Sequence, residues 1–359
     1  MITIGRAARF LGLVAVQLAL VAILLELIGR LLDPLGISYY PETARYLDTL
    51  KLEEPIGYRN RPGLSATFYG VPVTINALGM REKELAAKAP GEFRILVLGD
   101  SVTFGIGVRY EDALPQQLEL VLNERRAARR YRFLNLGVPS YNTEQQLIQL
   151  RTLGLELDPD AVILVFSPND IEPKMWVLDK RSRWYVNMAQ RSYAATLLYV
   201  LWRELRPHLG TLAALQARAG SYLPDGEGSL LGAFRPDNPR WLVVDRSLTA
   251  INALLHARHV PFVLFTVNDS PAILELLEGV ASREGFPLVN LQRHADPRWK
   301  KMDEALFHNS RMDGHPSPLG NRALAILIAE SLQRLGVLGR SNKLPAEPEM
   351  RPARNQDQR

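Results

Sequence analysis

Hydrophobic residues are arranged along this chain in three ways. At the N-terminus an apolar run extends from Phe10 to Leu25 with only Gln17 polar. After Glu26 it resumes at Leu27-Ile28 and ends near Leu32. As a helix, Phe10 to Leu32 is long enough to cross a hydrocarbon core of roughly 30 Å. Residues 33–90 are rich in proline and aromatics, and "VPVTINALGMREKE" within them reads as a short alternating strand and a Gly turn. Residues 91–335 carry the third pattern. Short apolar runs stand at 94–99 (RILVLG), 132–137 (RFLNLG), 161–167 (AVILVFS), 260–267 (VPFVLFTV) and 287–291 (PLVNL). Each is too short for a free-standing helix and rich in β-branched residues or leucine. Helical patterns run between them, over Leu114–Arg126, Thr143–Leu153, Trp241–His259, Ala272–Glu284 and Leu319–Leu335.

Continuous apolar strands that alternate with helices predict a parallel sheet covered on both faces. In such sheets the active groups gather at the carboxyl ends of the strands. Residues 174–240 interrupt the rhythm as an insertion. "RSYAATLLYVLWRELRPHLGTLAALQARAG" reads as one or two amphipathic helices, and "SYLPDGEGSLLGAFRPDNPR" as a mobile loop able to cover a site or rest on a membrane. The tail, 336–359, is rich in Pro, Arg, Glu and Gln and is expected to be disordered. The predicted organisation is therefore a cytoplasmic N-terminus (1–9), an anchor (10–32), a β-rich extension (33–90), a main domain (91–335) and the tail.

Composition narrows the function. The 359 residues carry a net charge of +5 with the arginines scattered. No basic stripe with interleaved aromatics is present, so nucleic acid is not an expected partner. The chain has no cysteine, which excludes disulfides and thiolate chemistry. No His-x-x-x-His or carboxylate cluster has metal-ligand spacing, and "GIGVRY" lacks the third glycine of a dinucleotide loop, so neither a metal nor a cofactor is expected. Arg6 and Arg9 precede the apolar run, and no small-x-small cleavage site follows it. An uncleaved single-pass anchor is the first expectation and a cleaved signal the second, with the remaining chain outside the cytoplasm.

Candidate chemistry follows the strands. After the first comes Gly99-Asp100-Ser101, in which Gly99 permits a sharp exit and Ser101 is left exposed above the sheet. A serine hydroxyl needs a base to take its proton; the same tripeptide also suits a plain helix cap. After the second strand, Gly137 in "NLGVPSYNTEQQL" could offer its N–H to a developing oxyanion. After the third, "FSPNDIE" presents the Asn169 amide for the same role, although Asn-Asp is turn-prone in any context. Near the end, "MDGHPSPLG" places His315 before the last helix, where an imidazole can accept a serine proton. Asp313, two residues earlier, could orient it. His208, His256, His259, His294 and His308 read as structural or solvated.

Taken in chain order, these four blocks resemble the SGNH, or GDSL, hydrolase family of the bacterial membrane-anchored type. The likeness runs over about residues 91–335, and "GYRNRPGLSATFYGVPVTINALGMRE" is similar to the leader of anchored members. Ser101 matches that family's nucleophile, which also donates from its backbone to the oxyanion hole. Gly137 and Asn169 match its other oxyanion-hole residues, and His315 its base. The resemblance implies a flavodoxin-like three-layer α/β/α sandwich with a five-stranded parallel sheet, and ester or acyl chemistry without a cofactor. Two departures stand out. Met312 occupies the place of the usual Asp three before the histidine, so Asp313 becomes the substitute. Ser167-Pro168 replaces the glycine that often precedes the Asn-Asp pair.

The expected activity is that of a serine esterase or acyl hydrolase, working through an acyl-enzyme on Ser101 and acting on acylated cell-envelope or exported glycans. An ester-bearing lipid is the other candidate substrate, supported by the apolar stretch Ala194–Trp202. An O-acyltransferase would share the acyl-enzyme. A catalytically inactive, membrane-tethered binding or assembly factor is the reading from another class.

Overall fold

The structure is a computed structural model that describes residues 2–33, 36–124, 129–178, 192–205, 230, 232–268, 270–293, 307–310 and 313–339. Helix α1 (Ile2–Leu32) takes up the N-terminal apolar run, and its large side chains, Leu13, Leu20 and Leu31 among them, are exposed. Among the described residues it is the one helix long and apolar enough to cross a membrane, over Ala8–Leu32, a property shared by membrane spans and signal sequences. Helix α2 (Tyr39–Leu47) follows, then two antiparallel hairpins, β1 (Lys51–Glu53) with β2 (Gly57–Arg59) and β3 (Ser65–Phe68) with β4 (Val71–Thr74). The segment read as a β-rich extension thus also contains a helix. Its buried Tyr46, Phe68, Val73 and Ile75 pack on Phe104 and Ile106, just past Ser101. The buried Arg81 guanidinium donates to the carbonyls of Phe104, Gly105 and Val108. One cation therefore satisfies a run of turn carbonyls that has no strand to pair with, and the turn after the candidate nucleophile is clamped.

The main sheet contains β5 (Glu92–Gly99), β6 (Arg130–Asn135), β7 (Ala161–Phe166), β8 (Phe262–Thr266) and β9 (Leu288–Asn290), all parallel, in the order β6-β5-β7-β8-β9. Side chains alternate across a strand, so each apolar run feeds two cores. Leu96, Leu98, Val162, Leu164 and Leu264 meet α5 (Thr143–Thr152), α7 (Pro239–His256) and α8 (Pro271–Glu284) on one face. Ile95, Val97, Ile163, Val165 and Phe265 meet α4 (Leu114–Asn123) and α9 (Pro318–Arg334) on the other. This is the flavodoxin-like α/β/α sandwich expected from the sequence. Between β5 and β7 the strand order reverses, and the loops leaving their carboxyl ends diverge to open a crevice.

Some boundaries differ. Strand β6 stops at Asn135, so Leu136 and Gly137 belong to the loop beyond it. Within the insertion, α6 (Tyr193–Leu205) is helical as expected; residues 206–229 lie outside the described residues. The stretch read as a mobile loop ends in fixed structure. Phe234 is buried, with its ring edge-on to Phe166 at 6.4 Å and 6.2 Å from Trp241. The start of the expected disordered tail is fixed too, because Leu338 is buried and its carbonyl accepts from Tyr131 Oη at 3.2 Å. The remainder, 340–359, lies outside the described residues.

Candidate active site

Ser101 opens the short helix α3 (Ser101–Phe104) directly at the end of β5, and Asp100 caps it by accepting from Val102 N–H at 2.9 Å. The sharp exit needs glycine at position 99. A Cβ there would lie 2.3 Å from Thr103 Oγ1 and 3.2 Å from the Val165 carbonyl of the neighbouring strand. The buried Asp100 also accepts from Ser167 Oγ at 3.2 Å, which ties the turn after β5 to the turn after β7. Ser167, one of the departures from the family pattern, is therefore a brace across the crevice.

His315, 214 positions further along the chain, sits with Nε2 2.7 Å from Ser101 Oγ. Its Nδ1 lies 2.5 Å from Asp313 Oδ1, which also accepts the His315 backbone N–H at 3.1 Å. An ionised carboxylate only accepts, so in the neutral imidazole the ring proton resides on Nδ1 and Nε2 turns its lone pair toward the serine hydroxyl. The second oxygen of Asp313 accepts from Asn309 Nδ2 at 3.0 Å, and that amide also donates to the Ile106 carbonyl at 2.8 Å. The Asp313 backbone N–H donates to Ser310 Oγ at 3.0 Å. The Asn309 amide and the His315 backbone N–H thus hold the carboxylate, Ser310 holds its backbone, and the carboxylate in turn holds the ring.

The other two expected residues are placed differently. Asn169 stands in the 3-10 turn Pro168–Ile171, half-buried, and its side-chain amide makes no hydrogen bond among the described residues. Gly137, in contrast, is buried and its N–H donates to Asn135 Oδ1 at 2.9 Å. Its missing Cβ serves packing, since one built there would fall 2.2 Å from Phe104 N. The glycine is explained by a close backbone approach, and its donor is already engaged. Three residues on, Ser140 adopts a left-handed φ of 63° and is half-buried, and its N–H is unpaired among the described residues.

Behind the crevice, Asp170 is fully buried. Desolvation, together with the nearby Asp100 carboxylate, pushes its carboxyl well above the usual range. Gln146 Nε2 donates to its Oδ2 at 3.1 Å, while Oδ1 has no partner among the described residues. In front, the Tyr39 ring of α2 lies 5.6 Å from the His315 ring and stacks with Tyr69 at 6.0 Å. Sequence reasoning missed Tyr39, Asn309, Ser310 and Ser140. Nothing local marks the first three, because they reach the site through folding of distant segments. Ser140 is distinguished only by its backbone angle. Among the described residues there is no cluster of His, Asp and Glu suited to a metal ion.

With this geometry in place, comparison with known proteins decides the family. Residues 97–323 match the GDSL-like lipase/acylhydrolase family. The chain belongs to that family. The match begins in β5 and continues into α9, so it spans Ser101, Asp313 and His315. No curated protein matches the chain. Solved structures similar to it include the lipase/acylhydrolase from Enterococcus faecalis, at 15% identity and a TM-score of 0.41, covering 68% of this chain and 96% of that one. The esterase EstA from Pseudoalteromonas sp. is similar at 13% identity and a TM-score of 0.39, covering 67% and 97%. The acetyl xylan esterase AlAXEase is similar at 14% identity and a TM-score of 0.41, covering 67% and 100%. Family membership makes this a GDSL-like hydrolase domain.

Proposed function

We propose that the chain is a membrane-anchored serine esterase, acting on ester-linked acyl groups of envelope glycans or lipids. The observation that carries the reading is the relay Ser101–His315–Asp313, in which hydroxyl, imidazole and carboxylate are in hydrogen-bond contact in that order. His315 Nε2 removes the proton as Ser101 Oγ attacks the ester carbonyl, and Asp313 stabilises the imidazolium that forms. The negative charge on the carbonyl oxygen is received by the Ser101 N–H and the Asn169 amide. The open N–H of Ser140 serves as third donor in place of Gly137, whose N–H is held by Asn135. Collapse expels the alcohol, which takes its proton from His315. Water, activated by the same imidazole, then releases the acid from the acyl-enzyme. The domain limits at 91 and 335, an anchor over 10–32 and an extracytoplasmic catalytic domain belong to this proposal. The anchor and its orientation rest on the apolar helix Ala8–Leu32 and on Arg6 and Arg9 before it, and the domain limits on the span from β5 to α9.

A fluorophosphonate probe should label Ser101, and Ser101→Ala should remove both the labelling and turnover of an aryl acetate. Near-normal turnover by Ser101→Ala would reject the mechanism. Absence of labelling in the wild type would favour a binding protein that has kept the fold.

A further inference from the structure

Glu26 is an acid inside the apolar run of α1, and the structure supplies a reason for it. Its carboxylate accepts from Tyr193 N–H at 3.0 Å, Ala194 N–H at 2.9 Å and Ser192 Oγ at 2.9 Å. These are the orphan donors at the start of α6, so a side chain of α1 caps a helix 166 positions away. Arg30 pairs with the same carboxylate. The contact is close throughout. A Cβ on Gly29 would fall 2.1 Å from the Tyr193 ring, and Tyr193 Oη donates to Asp33 Oδ1 at 2.8 Å. An acid six residues before the end of a span is costly in lipid unless it is paired; here it is fully paired by another helix.

Helix α6 itself presents apolar side chains outward. Leu198 is 63% exposed, and Leu201 and Trp202 are each 42% exposed. At 1.5 Å per residue its 13 residues span about 20 Å, too short to cross a bilayer. It packs against α1, whose Leu27, Leu31 and Leu32 are also exposed.

The same corner of the molecule carries the catalytic base. Asp33, just past the span, accepts from Ile37 N–H at 2.6 Å and Ser38 N–H at 3.0 Å. Gly36 lies against Ser310, a Cβ there falling 2.1 Å from Ser310 Oγ, and Ser310 holds Asp313. Tyr39 then faces His315. Tyr39 is seven positions past Leu32, which limits their separation to about 25 Å even for an extended chain.

We infer that α6 is a second membrane element, docked on α1 by Glu26 and seated in the lipid interface, and that the site works on acyl esters of amphiphiles whose apolar part remains in the bilayer. The substrate half of this inference rests on the proposed esterase activity, and the placement of α6 on the proposed anchor.

The chain has no cysteine, so Leu198→Cys and Leu52→Cys each introduce a unique labelling site in the full-length protein. Leu52 is as exposed as Leu198 but lies in the β1 hairpin. With an environment-sensitive fluorophore, in phosphatidylcholine–phosphatidylglycerol vesicles, the label at 198 should emit to the blue of that at 52. Lipids brominated on their acyl chains should quench it several-fold more. Adding Glu26→Ala should return position 198 to the behaviour of position 52. Equal emission and quenching at the two positions in the parent protein would overturn the membrane placement, including the case in which a protein partner covers this face. Quenching that survives Glu26→Ala would overturn the docking role of Glu26.

The substrate half is read with Leu198→Glu/Leu201→Glu. Turnover of a long-chain ester carried in vesicles should fall about tenfold, while turnover of a soluble aryl acetate stays at the wild-type level. Equal effects on the two esters would overturn it. Loss of both activities in the wild type, with quenching intact, would instead count against the esterase reading.

Discussion

Replacing Asp313 by asparagine tests the relay most directly, because the exchange leaves the shape of the side chain nearly unchanged. The carboxylate, with its side chain only 6% exposed, lies 2.5 Å from His315 Nδ1. When the imidazole takes the Ser101 proton, a positive ring forms about 4 Å from a negative carboxylate. At the effective dielectric of about 20 that suits such sites, this attraction is worth about 4 kcal/mol. Its loss corresponds to a rate decrease of about a thousandfold. A second effect adds to the first. Asn309 already directs an N–H at Oδ2, so the new amide will tend to turn its NH2 group toward Nδ1. The ring proton would then move to Nε2, the wrong tautomer for accepting from serine, and the same exchange in a Ser-His-Asp triad costs about ten-thousandfold. We therefore expect Asp313→Asn to lower kcat on an aryl acetate by about 10³ to 10⁴, with KM little changed because Asp313 is shielded from substrate. Steady-state kinetics on protein shown to be folded by circular dichroism provide the measurement. A loss smaller than about tenfold, or one confined to KM, would refute the orienting role of Asp313.

Three further outcomes follow from the same geometry. Asn169→Ala should lower kcat by about 10² to 10³ through loss of one oxyanion donor, and a kcat within about threefold of wild type would remove Asn169 from that role. Gly137→Ala should destabilise by about 1–3 kcal/mol, because the new methyl meets the Phe104 backbone; an unchanged thermal midpoint would contradict the packing account. The Asp170 carboxyl is held above its usual range by burial and by Asp100. The folded protein therefore keeps a proton that the unfolded chain releases near pH 4, and stability declines as pH rises from there. Asp170→Asn should abolish this decline, so its stability relative to wild type should rise between about pH 4 and neutrality. Denaturant titrations across that range measure it, and a pH-independent difference would show that Asp170 ionises normally.

Much of the fold was legible in the sequence because the physics involved is local. The five apolar runs are short and buried on both faces, and a strand of that kind belongs in a covered parallel sheet. The residues proposed for the site, Ser101, Asn169, Asp313 and His315, were singled out by local signals too, since each follows a strand or precedes the last helix, where loop residues gather in such a sheet. Local pattern misled at Gly137. A glycine after a strand reads equally well as an oxyanion donor or as a spacer, and its 2.9 Å bond to Asn135 and its approach to Phe104 support the second reading.

What tertiary structure alone decided involves contacts between segments far apart in the chain. The sequence marks Glu26 as an interruption in an apolar run; folding brings it the N–H groups of Tyr193 and Ala194. Tyr39 has no signature of its own, yet it faces His315 because α2 packs on the turn after Ser101. Ser140 shows its left-handed angle only once the backbone is built. Periodicity and residue type report on a residue's nearest neighbours along the chain, so they fix the elements and the kind of chemistry. Which donor stays free, which carboxylate is paired and which ring covers the base depend on distances across the fold, and those are set only when the layers close.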